Sequence, residues 1–111
     1  MSTGDFDVRL VPVRDGAYVV RVLGDLDMAT APTLEERVAS VGRASHLVID
    51  LTQCTFLDSA AVRLLTTIAL DSDASGRTVA LVASSAGILR VLDITAVDDV
   101  IPVHSTVDDA L

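Results

Sequence analysis

The sequence predicts a single α/β domain over residues 1–111, in the order β-β-α-β-α-β-α-β. The sheet is mixed but mostly parallel, opened by an N-terminal hairpin, with the helices mainly on one face. Three observations carry this. "HLVIDL" (46–51) and "TVALVA" (78–83) are strand-length, dense apolar runs of the kind buried on both faces. The segments around them place apolar residues at helical spacing. Strands that alternate with helices imply right-handed crossovers between parallel neighbours, and 111 residues amount to one domain.

The elements follow in order. "FDVRLVPV" (6–13) alternates loosely as a strand, and Pro12 places it at an edge. "RDG" (14–16) is a turn, and "AYVVRVLG" (17–24) is the second arm of the hairpin. "DLDMATAPTLEERVASVGR" (25–43) turns into a helix. Either Thr30 caps it with Pro32 in the first turn, or Thr33 caps it with Glu36 at capping-box spacing. Leu34, Val38 and Val41 form its inner stripe, and Gly42 ends it. The strand at 46–51 leads to a helix over 59–70, whose inner face is Ala61, Leu64, Leu65, Ile68 and Ala69, with Arg63 pointing away. "DSDASGR" (71–77) is a polar break. After the strand at 78–83, Ser85 caps a helix reaching Ile94. "VIPVH" (100–104) is a last edge strand, and "STVDDAL" (105–111) is a final helical turn. With few helices to share, the second face of the sheet needs protection from the hairpin side chains or from a partner.

Composition excludes several functions. The formal net charge is −8 and the only aromatics are Phe6, Tyr18 and Phe56, which argues against nucleic-acid binding. An acidic face seeks a basic patch on another protein. The chain has no lysine, so a Walker-type phosphate loop, a Schiff-base enzyme and a response-regulator receiver all lose support. No run approaches the roughly 20 residues of a membrane span, and "MSTGDFDVRL" lacks the basic start and apolar middle of a signal peptide. A cytoplasmic protein with no membrane role is expected. Cys54 is alone, so no internal disulfide forms; it reads as a small packed thiol, with a redox switch as the alternative. His46, His104 and Cys54 have no metal-ligand spacing, and no cofactor is expected.

The joint in "DLTQCTFLDSAAVRLL" (50–65) is the first candidate for a site. Asp58 stands where an N-cap belongs, and its carboxylate can accept from the free N–H groups of the first turn. Ser59 then falls at the exposed first helical position, with its hydroxyl left available. A helix start is the plain reading. A hydrolase nucleophile is a poor one, because there is no G-x-S-x-G elbow and no cue brings His46 or His104 to Ser59. A phosphoacceptor has physical content. A phosphoryl group would add about −1.5 to −2 charge where a helix N-terminus tolerates an anion. Asp25, Asp27 and Asp58 would make that surface more acidic still, repelling a partner fitted to the neutral hydroxyl.

Three segments resemble the STAS domain (sulfate transporter and anti-sigma factor antagonist) in its small stand-alone bacterial form. "GDLDMATAP" (24–32) is similar to the family's G-E-L-D-x-x-x-A-P helix start, "VIDLTQCTFLDSAAVRLL" (48–65) to its strand, Asp-Ser joint and helix, and "LRVLDITAVDDVIPV" (89–103) to its late R-x-F-D-x-x-G-L segment. The resemblance implies an anti-sigma factor antagonist, not an enzyme, that regulates transcription under stress. Unphosphorylated, it would bind an anti-sigma factor of the histidine-kinase-like ATPase type and free a sigma factor. That partner would phosphorylate Ser59 to end the interaction, and a serine phosphatase would reverse it. Ser59 matches the phosphoacceptor; Asp58 and Asp27 match the neighbouring acids; Asp25, Thr30, Ala60 and Arg63 complete the expected partner surface. Ala60 and Ala61 replace the family's usual Ser/Thr-Gly pair, and Ala96 replaces its late glycine. A constitutive binding module not controlled by Ser59 is the alternative.

Overall fold

The computed structural model describes residues 6–14 and 16–111. β1 (Asp7–Arg14) and β2 (Ala17–Leu26) pair antiparallel. α1 (Ala31–Ser40) leads to β3 (His46–Leu57), and α2 (Ser59–Ala74) leads to β4 (Thr78–Val82). α3 (Ala86–Ile94) and a 3₁₀ turn (Val97–Asp99) lead to β5 (Val103–His104), and a last helical turn, α4, spans Val107–Ala110. The strands lie in the order β1-β2-β3-β4-β5, and each pair after the first is parallel. This is the element order and the hairpin-opened sheet that the sequence predicts. The turn expected at 14–16 includes Asp15, which lies outside the described residues.

Register divides the strand side chains between two faces. Val20, Leu47, Ile49 and Leu81 share a cluster with Leu34 of α1, Leu65 of α2 and Leu92 of α3, all fully buried or nearly so. Each such side chain is worth about 1.5–3 kcal/mol when taken from water. Val19, Val48, Ala80 and Val82 form the opposite cluster, covered by Ala110 with Val107 and Leu111. The expectation of protection by hairpin side chains or by a partner is thus corrected: the final turn does the covering. It is tied down where His46 Nε2 donates to the Ala110 carbonyl at 2.8 Å and Arg14 donates to the Leu111 carbonyl at 2.8 Å.

Several boundaries and caps differ from the sequence reading, each for a physical reason. β3 runs on to Leu57, because the end of β2 pairs with it through Gly24↔Cys54 and Leu26↔Leu57. The polar residues Thr52, Gln53 and Thr55 hide that extension from an apolar-run criterion. α2 continues through the expected polar break to Ala74, since Asp71 and Asp73 face water while Ser72 is buried and accepts from Arg77 Nε at 2.9 Å. β5 keeps only Val103–His104, because the Ile101 N–H is taken by the Val97 carbonyl of the 3₁₀ turn. α1 starts at Ala31 with Pro32 in its first turn, but Thr30 makes no side-chain cap, and a Thr33–Glu36 box would lie inside the helix. Gly42 does not end α1 through a left-handed turn either; its N–H closes back on the Ala39 carbonyl at 3.2 Å.

Two backbone positions bear on stability. Gly16 has φ +75, and a Cβ there would meet Ser45 Oγ at 2.5 Å. Its carbonyl accepts from the N–H groups of both Ser45 and His46, which pins the hairpin to the start of β3. Ala96 has φ +61, a left-handed conformation that costs an L-residue about 1–2 kcal/mol. It sits at the turn between α3 and the 3₁₀ segment and is exposed, so nothing opposes loss of its methyl. Ala96→Gly should therefore raise stability by about 0.5–1 kcal/mol in urea unfolding at constant slope. An unchanged midpoint would mean that the strain is absorbed elsewhere.

Candidate functional site

The joint gains its geometry from the C-terminal ends of β2 and β3, which run side by side to Leu26 and Leu57. The Asp58 N–H donates to the Leu26 carbonyl at 3.3 Å, so the chain leaves the sheet with that pair still held together. Asp58 is in extended conformation and caps α2, with Oδ1 accepting from the Ala61 N–H at 2.9 Å. Its other oxygen, Oδ2, accepts from the Met28 N–H at 2.9 Å. One carboxylate thus joins the start of α2 to the loop between β2 and α1. Ser59 follows at the first helical position and is exposed, relieved of capping by its neighbour.

The loop that Asp58 grips is ordered from within. Asp27 Oδ1 accepts from the N–H groups of Ala29 at 2.9 Å and Thr30 at 3.1 Å. Thr30 is buried; its hydroxyl donates to the Asp25 carbonyl at 2.8 Å and accepts from the Asp27 N–H at 2.9 Å. That use explains why Thr30 does not cap α1. Asp25 is exposed at the rim and accepts a hydrogen bond from the Thr55 hydroxyl. Asp25, Asp27 and Asp58 therefore share one end of the sheet with Ser59.

Beside the joint, α1 and α2 leave a groove of about 250 Å³. Met28, Pro32, Leu64 and Thr67 line it together with the charged Glu35 and Arg63, and Ala60 belongs to the same wall. The expected residues Ala60 and Arg63 line this groove, which adjoins Ser59 through Ala60, whereas Thr30 acts inside the loop. Sequence reading missed Met28, which is 77% exposed, and Phe56, which is 51% exposed beside Asp25. Neither lies in a periodic pattern, so no local signal marks them. Ala61 is fully buried and its methyl turns into the core.

Cys54 is buried and donates to the Phe56 carbonyl at 3.3 Å. Burial pushes its thiol above the ordinary cysteine range, aided by the Asp25 carboxylate and opposed by two backbone hydrogen bonds. Among the described residues, no group of three or more His, Cys, Asp or Glu is arranged to hold a metal ion, and no helix is long and apolar enough to cross a membrane.

The STAS domain pattern matches residues 9–110. The chain belongs to the STAS domain family. The anti-sigma-F factor antagonist RsfB of Mycobacterium tuberculosis is 31% identical over 115 aligned residues, covering 100% of this chain and 92% of RsfB. A crystal structure of an anti-sigma factor antagonist from Mycobacterium paratuberculosis superposes with TM-score 0.84 at 32% identity, covering 99% of this chain and 95% of that one. SpoIIAA, solved in unphosphorylated form and, for Bacillus, in phosphorylated form, superposes with TM-scores 0.73 and 0.72. The identities are 16% and 18%, and the coverage is 93% of this chain and 92% of that one for the first form, 94% and 96% for the second, so the likeness is one of fold.

Two outcomes test this geometry. Asp58→Asn replaces one acceptor oxygen with a donor amide, so either the Ala61 or the Met28 N–H loses its partner. Urea unfolding should show a loss of about 1–2 kcal/mol, whereas Ser59→Ala should stay within about 0.5 kcal/mol of wild type. Ellman's reagent at pH 8 should label Cys54 slowly in the folded protein and at the free-thiol rate in urea, because the raised thiol leaves little thiolate. Rapid labelling of the folded state would contradict its burial.

Proposed function

We propose that this chain is an anti-sigma factor antagonist whose unphosphorylated form binds an anti-sigma factor of the histidine-kinase-like ATPase type and so releases a sigma factor. The chain supplies no catalysis of its own; its relatives named above are regulators. The partner holds ATP and transfers the γ-phosphoryl group to Ser59 Oγ, with ADP leaving and the hydroxyl proton lost. A serine phosphatase returns the free hydroxyl by hydrolysis. The action is cytoplasmic, between proteins, without nucleic acid or membrane.

The observation that carries this reading is the division of labour at the joint. Asp58 caps α2 and leaves Ser59 exposed among acidic neighbours. Phosphate added there meets no buried group and breaks no cap, so the fold survives. What changes is the surface, by about −1.5 to −2 charges beside Asp25, Asp27 and Asp58. A partner surface matched to the neutral hydroxyl is then repelled, and like charges brought together cost several kcal/mol. The departure at Ala61 does not oppose kinase access, since its methyl is turned into the core.

The test uses the purified chain and anti-sigma factor with ATP. Wild type should accept one phosphoryl group and lose affinity, Ser59→Ala should bind without being modified, and Ser59→Glu should bind about tenfold or more weakly. Equal affinity of all three, with no modification, would replace this reading by a constitutive binding module.

A further inference from the structure

The switch at Ser59 explains how binding ends but not what supplies affinity before it ends. A single neutral hydroxyl contributes little, and the surrounding carboxylates give orientation and on-rate more than strength. Strength at protein interfaces comes from a few apolar or aromatic contacts in well-packed pockets. The surface next to Ser59 holds one such pocket, the groove between α1 and α2.

Its chemistry specifies the occupant. At about 250 Å³ it is smaller than the usual small-molecule site, and Met28, Pro32 and Leu64 present carbon rather than converging polar groups. Met28 is the most exposed large apolar side chain among the described residues, and thioether side chains adapt to what packs on them. Glu35 and Arg63 add one charge of each sign to the lining, and Asp25, Asp27 and Asp58 lie on the adjoining surface, so acid outnumbers base around the groove. The groove is continuous with Ser59 through Ala60.

We propose that this groove is the affinity half of the docking surface: it receives one apolar side chain of the anti-sigma factor, set among basic residues, while Ser59 beside it carries the switch. The inference rests on the reading of Ser59 given above. The two halves are separable because Thr67 lies eight residues along α2 from Ser59, or about 12 Å. A bulky residue there fills the groove without touching the phosphoacceptor.

The experiment is calorimetric titration of the full chain with each histidine-kinase-like anti-sigma factor encoded in the source genome, followed by phosphorylation kinetics with the factor that binds. Thr67→Trp, which fills the groove, and Met28→Ala, which removes its wall, should each weaken binding about tenfold. Each should raise KM for phosphorylation while leaving kcat unchanged, by a factor larger than any loss of folded fraction seen in thermal unfolding. Arg90→Trp, on the exposed side of α3, should bind as wild type does. Thermal unfolding verifies that the variants fold, and Met28→Ala decides the matter alone if Thr67→Trp does not. Wild-type affinity in Met28→Ala and in folded Thr67→Trp would overturn the groove while leaving the Ser59 switch intact. Failure of the wild type to bind any of these factors would overturn both.

Discussion

The Asp58 carboxylate is the constraint on which the functional end of the molecule depends. A carboxylate can accept at both oxygens, and here each oxygen serves a different element: the first turn of α2 through Ala61 and the β2–α1 loop through Met28. These are hydrogen bonds to a charged acceptor, worth about 1.5–3 kcal/mol each against about 1 for a neutral pair. Without the first, α2 would begin with an orphaned donor. Without the second, the Met28 loop would be held only by its own internal turns. Because both bonds share one side chain, the orientation of Ser59 and the wall of the neighbouring groove are set together.

A second constraint sits at the opposite end of the chain. A parallel sheet wants cover on both faces, and three helices pack on only one. The chain solves this with α4, whose Val107 and Ala110, joined by Leu111, close over Val19, Val48 and Val82. Asp50 is 3% exposed on that same face, which would be costly for an unpaired acid. It is compensated by the N–H and hydroxyl of Thr52, and by Arg21 at 3.5 Å. Arg21 remains partly solvated, so the pair keeps one side in water.

These two features separate the jobs of the domain. The sheet, its buried acid and its covering turn make a scaffold, and the chemistry proposed for Ser59 needs no moving part. Charge added at an exposed first helical position acts on whatever approaches, through a distance shorter than the screening length of about 8–10 Å at ordinary ionic strength. Affinity assigned to the groove and control assigned to the hydroxyl then occupy adjacent patches of one surface. A change in one need not disturb the other.

What the sequence determined by itself was the order of elements, the parallel sheet opened by a hairpin, and the place of Ser59 after its cap. All of these follow from local periodicity and from capping chemistry, which act within a few residues. The STAS resemblance was also legible, because its motifs sit at those same joints. What only the tertiary structure decided depends on residues far apart in the chain. The length of β3 came from pairing with the end of β2, since the polar stretch from Thr52 to Thr55 looks like loop until Gln53, Cys54, Phe56 and Leu57 pair with Leu23, Gly24, Asp25 and Leu26. The duty of Thr30 came from the carbonyl of Asp25 rather than from the helix it precedes. The groove required α1 and α2 to meet, and Met28 entered the site because Asp58, thirty residues later, holds its N–H. Local rules place a side chain on an element; only packing places one element beside another, and the site is made between elements.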